Sequence, residues 1–181
     1  MRIIRMNKRR KKTIVFIIVG VLIVACVLMA ILLSSYGPYD RVTQKDERTV
    51  LFVISIGPDF MSDYDSKDVI FVDNSGNIHR VPIKNKIQES IENGEIWEGD
   101  IVGKVPANET MSYYHKLCKI NEELFFYYRE GGGTGMEVYY FYYGIRYVNG
   151  KVEIVDIGSS DYYTENKYAE SIVEWMKEWE Y

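Results

Sequence analysis

His115 and Cys118 stand three residues apart, a spacing that puts an imidazole and a thiol on one side of a helix. Such a pair suits a nucleophile and its base, or half of a metal site. The sequence around them places no Asn or Asp to orient the imidazole and no second pair of ligands. His79, the other of the two histidines, falls in a stretch that reads as strand. The bland reading of the pair is a thiol packed as a small hydrophobe on an apolar helix side. The chain is therefore expected to be non-catalytic, with no metal and no cofactor.

Two loops carry chemistry-bearing residues. Asp63, Asp65 and Asp68, with Asp59 just upstream, resemble the start of a calcium loop, where oxygen ligands alternate. The sixth position is Asp68 where such a loop needs Gly, and the twelfth is Asn74 where it needs Glu, so a solvated acidic loop is expected. Gly131-Gly132-Gly133-Thr134-Gly135 has the backbone freedom to cradle a phosphate. A strand follows it, however, where a phosphate loop needs a helix and usually a Lys. It reads as a flexible hairpin loop.

Tyrosines give the one positive hint. Tyr127, Tyr128, Tyr139, Tyr140, Tyr142, Tyr143 and Tyr147 crowd two stretches that read as adjacent strands. Rings that end in a hydroxyl suit flat ligands such as glycans, or a protein partner. Tyr128, Tyr140 and Tyr142 are the expected contact residues. The competing reading is plain β-propensity, with the second sheet face covered by a helix.

What holds these residues in place begins with an address. The first twelve residues carry seven Lys and Arg and no acid. The next 21, residues 13–33, carry no charge at all and span roughly 31 Å as a helix, about one bilayer core. The expectation is a basic cytoplasmic tail (1–12), a transmembrane helix in the lipid bilayer (13–33), a polar tether (34–47) and an extracytoplasmic domain (48–181). The positive-inside rule sets that orientation. Tyr36 and Tyr39 are expected in the headgroup layer. Three rival readings exist: a cleaved signal peptide, with a poor cut site at Leu33-Ser34-Ser35; a lipoprotein with Cys26 in a lipobox-like Ile23-Val24-Ala25-Cys26; and a buried helix of a soluble protein, against which the run has no polar face.

Charge then narrows the partners. Beyond the tail there are 15 basic and 26 acidic residues, a net charge of −11. Phosphate backbones require a basic surface, so nucleic acid is excluded as a partner of the outer domain. Cys118 is the lone cysteine there, so no internal disulfide is expected and an apolar core must supply the stability.

Along the outer domain, Arg48–Ile56 reads as a strand buried on both faces. Asp68–Asp73 and Asn77–Ile83 read as a hairpin around Asn74-Ser75-Gly76, with Pro82 marking an edge strand. Helices are expected at Lys86–Asn93, Glu109–Lys119 and Thr164–Trp179, and residues 96–105 are ambiguous. A C-terminal meander is expected from Glu123–Glu130, Met136–Val148 and Lys151–Ile157. Asn149-Gly150 fixes its last register, with Arg146 opposite Glu153. One face, Phe141, Tyr143, Ile145 and Tyr147 against Val152 and Ile154, is expected to be the core face.

The fold class expected is α+β: one N-terminal transmembrane helix, then a small domain with a mostly antiparallel sheet and helices packed on one face. The function expected is a membrane-anchored binding or accessory domain that meets an unknown protein or glycan. A membrane-tethered hydrolase of envelope substrates, using His115, Cys118 and Asp63 or Asp65, is the alternative.

Overall fold

The structure is a computed structural model and describes residues 16–28, 37–57, 67–128 and 139–180. The chain divides into two units, Met1–Gly37 and Pro38–Tyr181. In the first, residues 16–28 form a helix in which every residue is exposed, from Phe16 to Leu28. Those 13 residues rise about 20 Å. Among the described residues no helix is long and apolar enough to cross a membrane. The rest of the expected span, 13–15 and 29–33, lies outside the described residues.

The second unit is α+β. It holds a six-stranded, wholly antiparallel sheet in the order β4-β3-β2-β1-β6-β7. Its strands are β1 (Val50–Gly57), β2 (Lys67–Asp73), β3 (Asn77–Ile83), β4 (Asp100–Lys104), β6 (Tyr139–Val148) and β7 (Lys151–Ser159). Strands β5 (Tyr127–Tyr128) and β8 (Tyr162–Tyr163) pair with each other in a separate ribbon. The helices are α1 (Ile87–Glu92), α2 (Ala107–Leu117) and α3 (Lys167–Met176).

Strand β1 lies between β2 and β6, and Val50 through Ser55 are all buried. Its unbroken apolar run follows from that place, since each face of a central strand meets core. On one face Val53, Phe71, Val81, Tyr143 and Ile145 form a cluster closed by Ile87 of α1 and by Ile96. Phe141, Tyr147, Val152 and Ile154 pack around its margin, as the alternation in β6 and β7 requires. On the other face, Phe52 meets Trp175 of α3 edge to face at 5.2 Å. Gly144 admits Leu117 of α2: a Cβ there would stand 2.3 Å from Leu117 Cδ1. Side chains such as Phe52, Ile54, Leu117 and Ile172 are fully buried, and each contributes about 1.5–3 kcal/mol by leaving water. Helices thus cover both faces of the sheet. The expectation of helices on one face is corrected, because β1 and β2 are apolar on both sides and each side needs a cover.

The last hairpin pairs as its turn demands: Tyr147 with Val152, Arg146 with Glu153, Ile145 with Ile154. Asn149 and Gly150 take φ of 52° and 75°, the left-handed pair that matches strand twist. The rest of the meander needs correction. The neighbour of β6 on its other side is β1, with Val53 opposite Tyr143. The stretch expected as the first meander strand has only Tyr127–Tyr128 as strand among its described residues, and that belongs to the ribbon. Pro82 also needs a finer statement. Strand β3 is covered by β4 from Asn77 to Arg80, so β4 is the edge, and Pro82 lies just beyond the last paired residue.

Residues 38–47 are not a free tether. Asp40 N donates to Tyr147 O at 2.7 Å, Tyr114 Oη donates to Asp40 O at 3.1 Å, and Val42 is buried. Tyr39, expected in the headgroup layer, lies with its ring 4.0 Å from the Arg146 guanidinium. Tyr36 lies outside the described residues.

Candidate functional site

The sharpest polar cluster in the second unit sits where β2 turns into β3. Asp73 is fully buried and His79 is 1% exposed. Asp73 Oδ1 accepts from Ser75 N at 2.9 Å and Asn77 N at 3.0 Å, which closes the turn. Asp73 Oδ2 accepts from Asn77 Nδ2 at 3.0 Å and lies 3.3 Å from His79 Nε2. Burial pushes this carboxyl up, but the Asn77, His79 and Ser75 donors outweigh it and hold it below the usual carboxylate range. Arg48 reaches over the pair, with Nη2 3.0 Å from His79 Nε2 and its guanidinium 4.8 Å from the Trp97 ring centre.

A carboxylate beside an imidazole is the geometry of a general base. Here it is used for packing. His79 stacks on Phe71 at 4.5 Å and 8°, and Trp97 closes over it edge-on at 6.0 Å. With its proton on Nε2, His79 donates to Asp73 Oδ2, and Arg48 adds an ion pair to the same carboxylate, its Nε 3.5 Å from Oδ2. Among the described residues the other ring nitrogen, Nδ1, is buried without a hydrogen-bond partner. Among the described residues no side-chain hydroxyl or thiol bonds to Asp73 or His79.

The expected Cys–His pair lies at the end of α2. Cys118 is buried, and its thiol is pushed up to about 11 by burial. A thiol held protonated is a poor nucleophile. His115 is half-buried on the same helix. Asp68 pairs with Arg80 across β2 and β3. Asp59, Asp63, Asp65 and the Gly131–Gly135 loop lie outside the described residues. Among the described residues no group of three or more His, Cys, Asp or Glu is placed to hold a metal ion.

The three expected contact tyrosines are placed apart. Tyr142 is buried, and its hydroxyl bonds the carboxylate of Glu180. Tyr140 is half-buried in β6. Tyr128 is exposed in β5, and its ring meets Tyr162 of β8 edge to face at 5.5 Å. Beside them, Tyr127 and Tyr163 face each other at 5.7 Å. With Phe125 and Phe126 the ribbon brings together six large aromatic residues, each between 38% and 70% exposed. Strand alternation puts the Tyr127–Tyr163 pair and the Tyr128–Tyr162 pair on opposite faces of the ribbon.

Local bonds explain how the chain makes this ribbon. Ser159 Oγ accepts from Asp161 N and Tyr162 N at 3.2 and 3.0 Å, which turns the chain out of β7. Ser160 N donates to Tyr140 O at 2.9 Å and ties that turn to the sheet. Asn166 then starts α3, its Oδ1 accepting from Tyr168 N and Ala169 N. Sequence reading missed Tyr162, Tyr163, Phe125 and Phe126. The available signal was the repeated Tyr-Tyr pair at 127–128 and 162–163, too short for a period to show.

Three hollows adjoin the ribbon. One, of about 350 Å³, lies between Tyr162, Tyr163, Glu170 and Glu174. A second lies among Glu122, Glu123, Phe125, Tyr127 and Glu165. A third lies among Phe126, Phe141, Asp156 and Tyr162. The first volume is at the low end of those that hold small ligands or single side chains. The chain matches no family model, no curated protein and no solved structure.

Proposed function

We propose that this chain is a single-pass, membrane-anchored protein whose outer α+β domain binds a protein partner and does no chemistry. Residues 13–33 would cross the bilayer, with the basic leader in the cytoplasm. The uncharged run supports this, as does the exposure of apolar side chains all round the helix at 16–28. A soluble surface helix would carry a polar face.

The observation that carries the binding reading is the ribbon of Tyr127, Tyr128, Tyr162 and Tyr163 with Phe125 and Phe126. Leaving that much aromatic surface in water forgoes stabilisation that a partner would supply. The buried, protonated Cys118 and the closed Asp73–His79 pair favour binding over hydrolysis.

Protease added to intact cells tests the topology. The outer domain should be digested while the leader survives, and protection of the domain until lysis would overturn the orientation. For the surface, Tyr128→Ala should reduce retention of whatever partner is crosslinked in cells, whereas the buried Tyr142→Phe should leave it unchanged. Equal retention in wild type and Tyr128→Ala would remove the ribbon from the account.

A further inference from the structure

The three hollows lined by the ribbon's rings share one charge, while a fourth, which shares Glu122 and Glu165 with the second, also carries Lys119 and Lys167. Glu170 and Glu174 flank Tyr162 in the first, Glu122, Glu123 and Glu165 flank Phe125 and Tyr127 in the second, and Asp156 lies by Phe126 in the third. Among the described residues no Lys or Arg lines any of the three. Six carboxylates thus stand beside five of the exposed rings, Phe125, Phe126, Tyr127, Tyr162 and Tyr163. Aromatic faces attract cations through the ring quadrupole, and carboxylates add a second, longer-ranged pull. An anionic or merely apolar ligand would meet this rim at a cost, while a basic one meets two matched interactions.

Elsewhere in the molecule the same chemistry is already satisfied internally. Lys116 Nζ stands 4.0 Å from the Tyr113 ring centre, and Lys167 Nζ stands 5.2 Å from Tyr168. Arg48 and Arg146 lie over Trp97 and Tyr39. Pairing of a basic side chain with an aromatic ring is therefore a contact this fold makes repeatedly. A hollow of about 350 Å³ lined by Tyr162, Tyr163 and Glu170 offers it to an outside chain, whereas Glu174 beside them is paired with Lys177 at 2.6 Å.

We propose that the tyrosine ribbon and its carboxylate-lined hollows receive a lysine- or arginine-rich polypeptide segment. This rests on the binding role proposed above and names the chemistry of the partner. Basic side chains enter the hollows with their aliphatic stems along the rings and their charges at the glutamates. Attraction is strongest at low salt, because the rim charges are exposed.

The test uses the full chain in nanodiscs of zwitterionic phosphatidylcholine. Three labelled probes are titrated: octalysine, an uncharged leucine–serine octapeptide and a neutral chito-oligosaccharide. Octalysine should bind, and Tyr162→Ala should weaken it at least tenfold. The Glu123→Gln/Glu170→Gln pair, at exposed positions that leave the core alone, should weaken it to a similar degree. Tyr162→Phe keeps the ring and should retain binding, which separates loss of the surface from loss of the fold. Octalysine binding that ignores all these variants would be diffuse attraction to an acidic domain and would overturn the proposal. Failure of octalysine while another probe loses binding on Tyr162→Ala would overturn the basic-segment chemistry and leave the ribbon as the site. If no probe responds to Tyr162→Ala, both the proposal and the binding role of the ribbon fall.

Discussion

The Asp40 carboxylate accepts from the backbone N–H of Gly150 at 2.7 Å and from that of Asn149 at 3.2 Å. Two residues 110 positions apart are thus joined at the tip of the β6–β7 hairpin. The first residues of the second unit thereby clamp its tightest turn. Bonds to a charged acceptor are stronger than neutral ones, although these are exposed. Asp40→Ala should cost about 1 kcal/mol, read as a lower urea midpoint of tryptophan fluorescence. An unchanged midpoint would show that the clamp is incidental.

Gly144 is the point at which α2 lies directly on the sheet. Both methyls of Leu117 would stand within 2.5 Å of a Cβ placed there, and Leu117 is fully buried. Gly144→Ala should destabilise by about 1–3 kcal/mol, the usual cost of overpacking. Leu117→Ala removes the clashing methyls, so the double variant should lose less stability than the two single changes add up to. If the double variant were less stable than the sum of the two single changes, the clash would not be the cause.

Acid should loosen the β2–β3 turn. Asp73 has its carboxyl held below its unfolded value, near 3.9. A group depressed in the folded state contributes stability that is present above the unfolded value. That contribution is lost as pH falls through the folded one. Asp73→Asn should cost about 3 kcal/mol near neutral pH, because one of the two accepting oxygens becomes an NH2 that faces buried donors. The gap between wild type and variant should narrow as pH drops from about 5 toward 3. A gap that stays constant over that range would mean the carboxylate charge does not matter.

Neither cysteine should react readily in the native protein. Cys118 is buried with its thiol pushed up to about 11, and Cys26 lies in the segment proposed to be in lipid. A membrane-impermeant maleimide applied to intact cells at neutral pH should label neither. After denaturation in detergent both should be labelled. Native labelling at Cys118 would reopen a reactive role for it.

How much of this was legible in the sequence differs from element to element. The Asn149-Gly150 turn was legible because two residues at positive φ admit very few side chains, and the register of the last hairpin follows from the turn alone. The buried strand Val50–Ser55 was legible from its run of apolar residues. The helix expected at Thr164–Trp179 was legible too, because apolar residues recur there every three or four positions: Ile172, Trp175 and Met176 of α3 and Trp179 just past its end are buried, and Tyr168 is half-buried. Misplacing Glu123–Glu130 had a definite cause. A strand's neighbours are chosen by long-range pairing, and adjacency in sequence is only a guide to it.

The sequence by itself determined the periodicities, the tight turns, the charge split and the uncharged 21-residue run, because each depends on residues close together in the chain. Only the tertiary structure decided which tyrosines are buried. Tyr142 and Tyr128 carry the same side chain in similar aromatic runs. Tyr142 lies in a sheet face covered by helices, with its hydroxyl on Glu180, while Tyr128 lies in a two-residue strand apart from that sheet. Exposure is a property of what packs against a residue, and those neighbours come from distant parts of the chain.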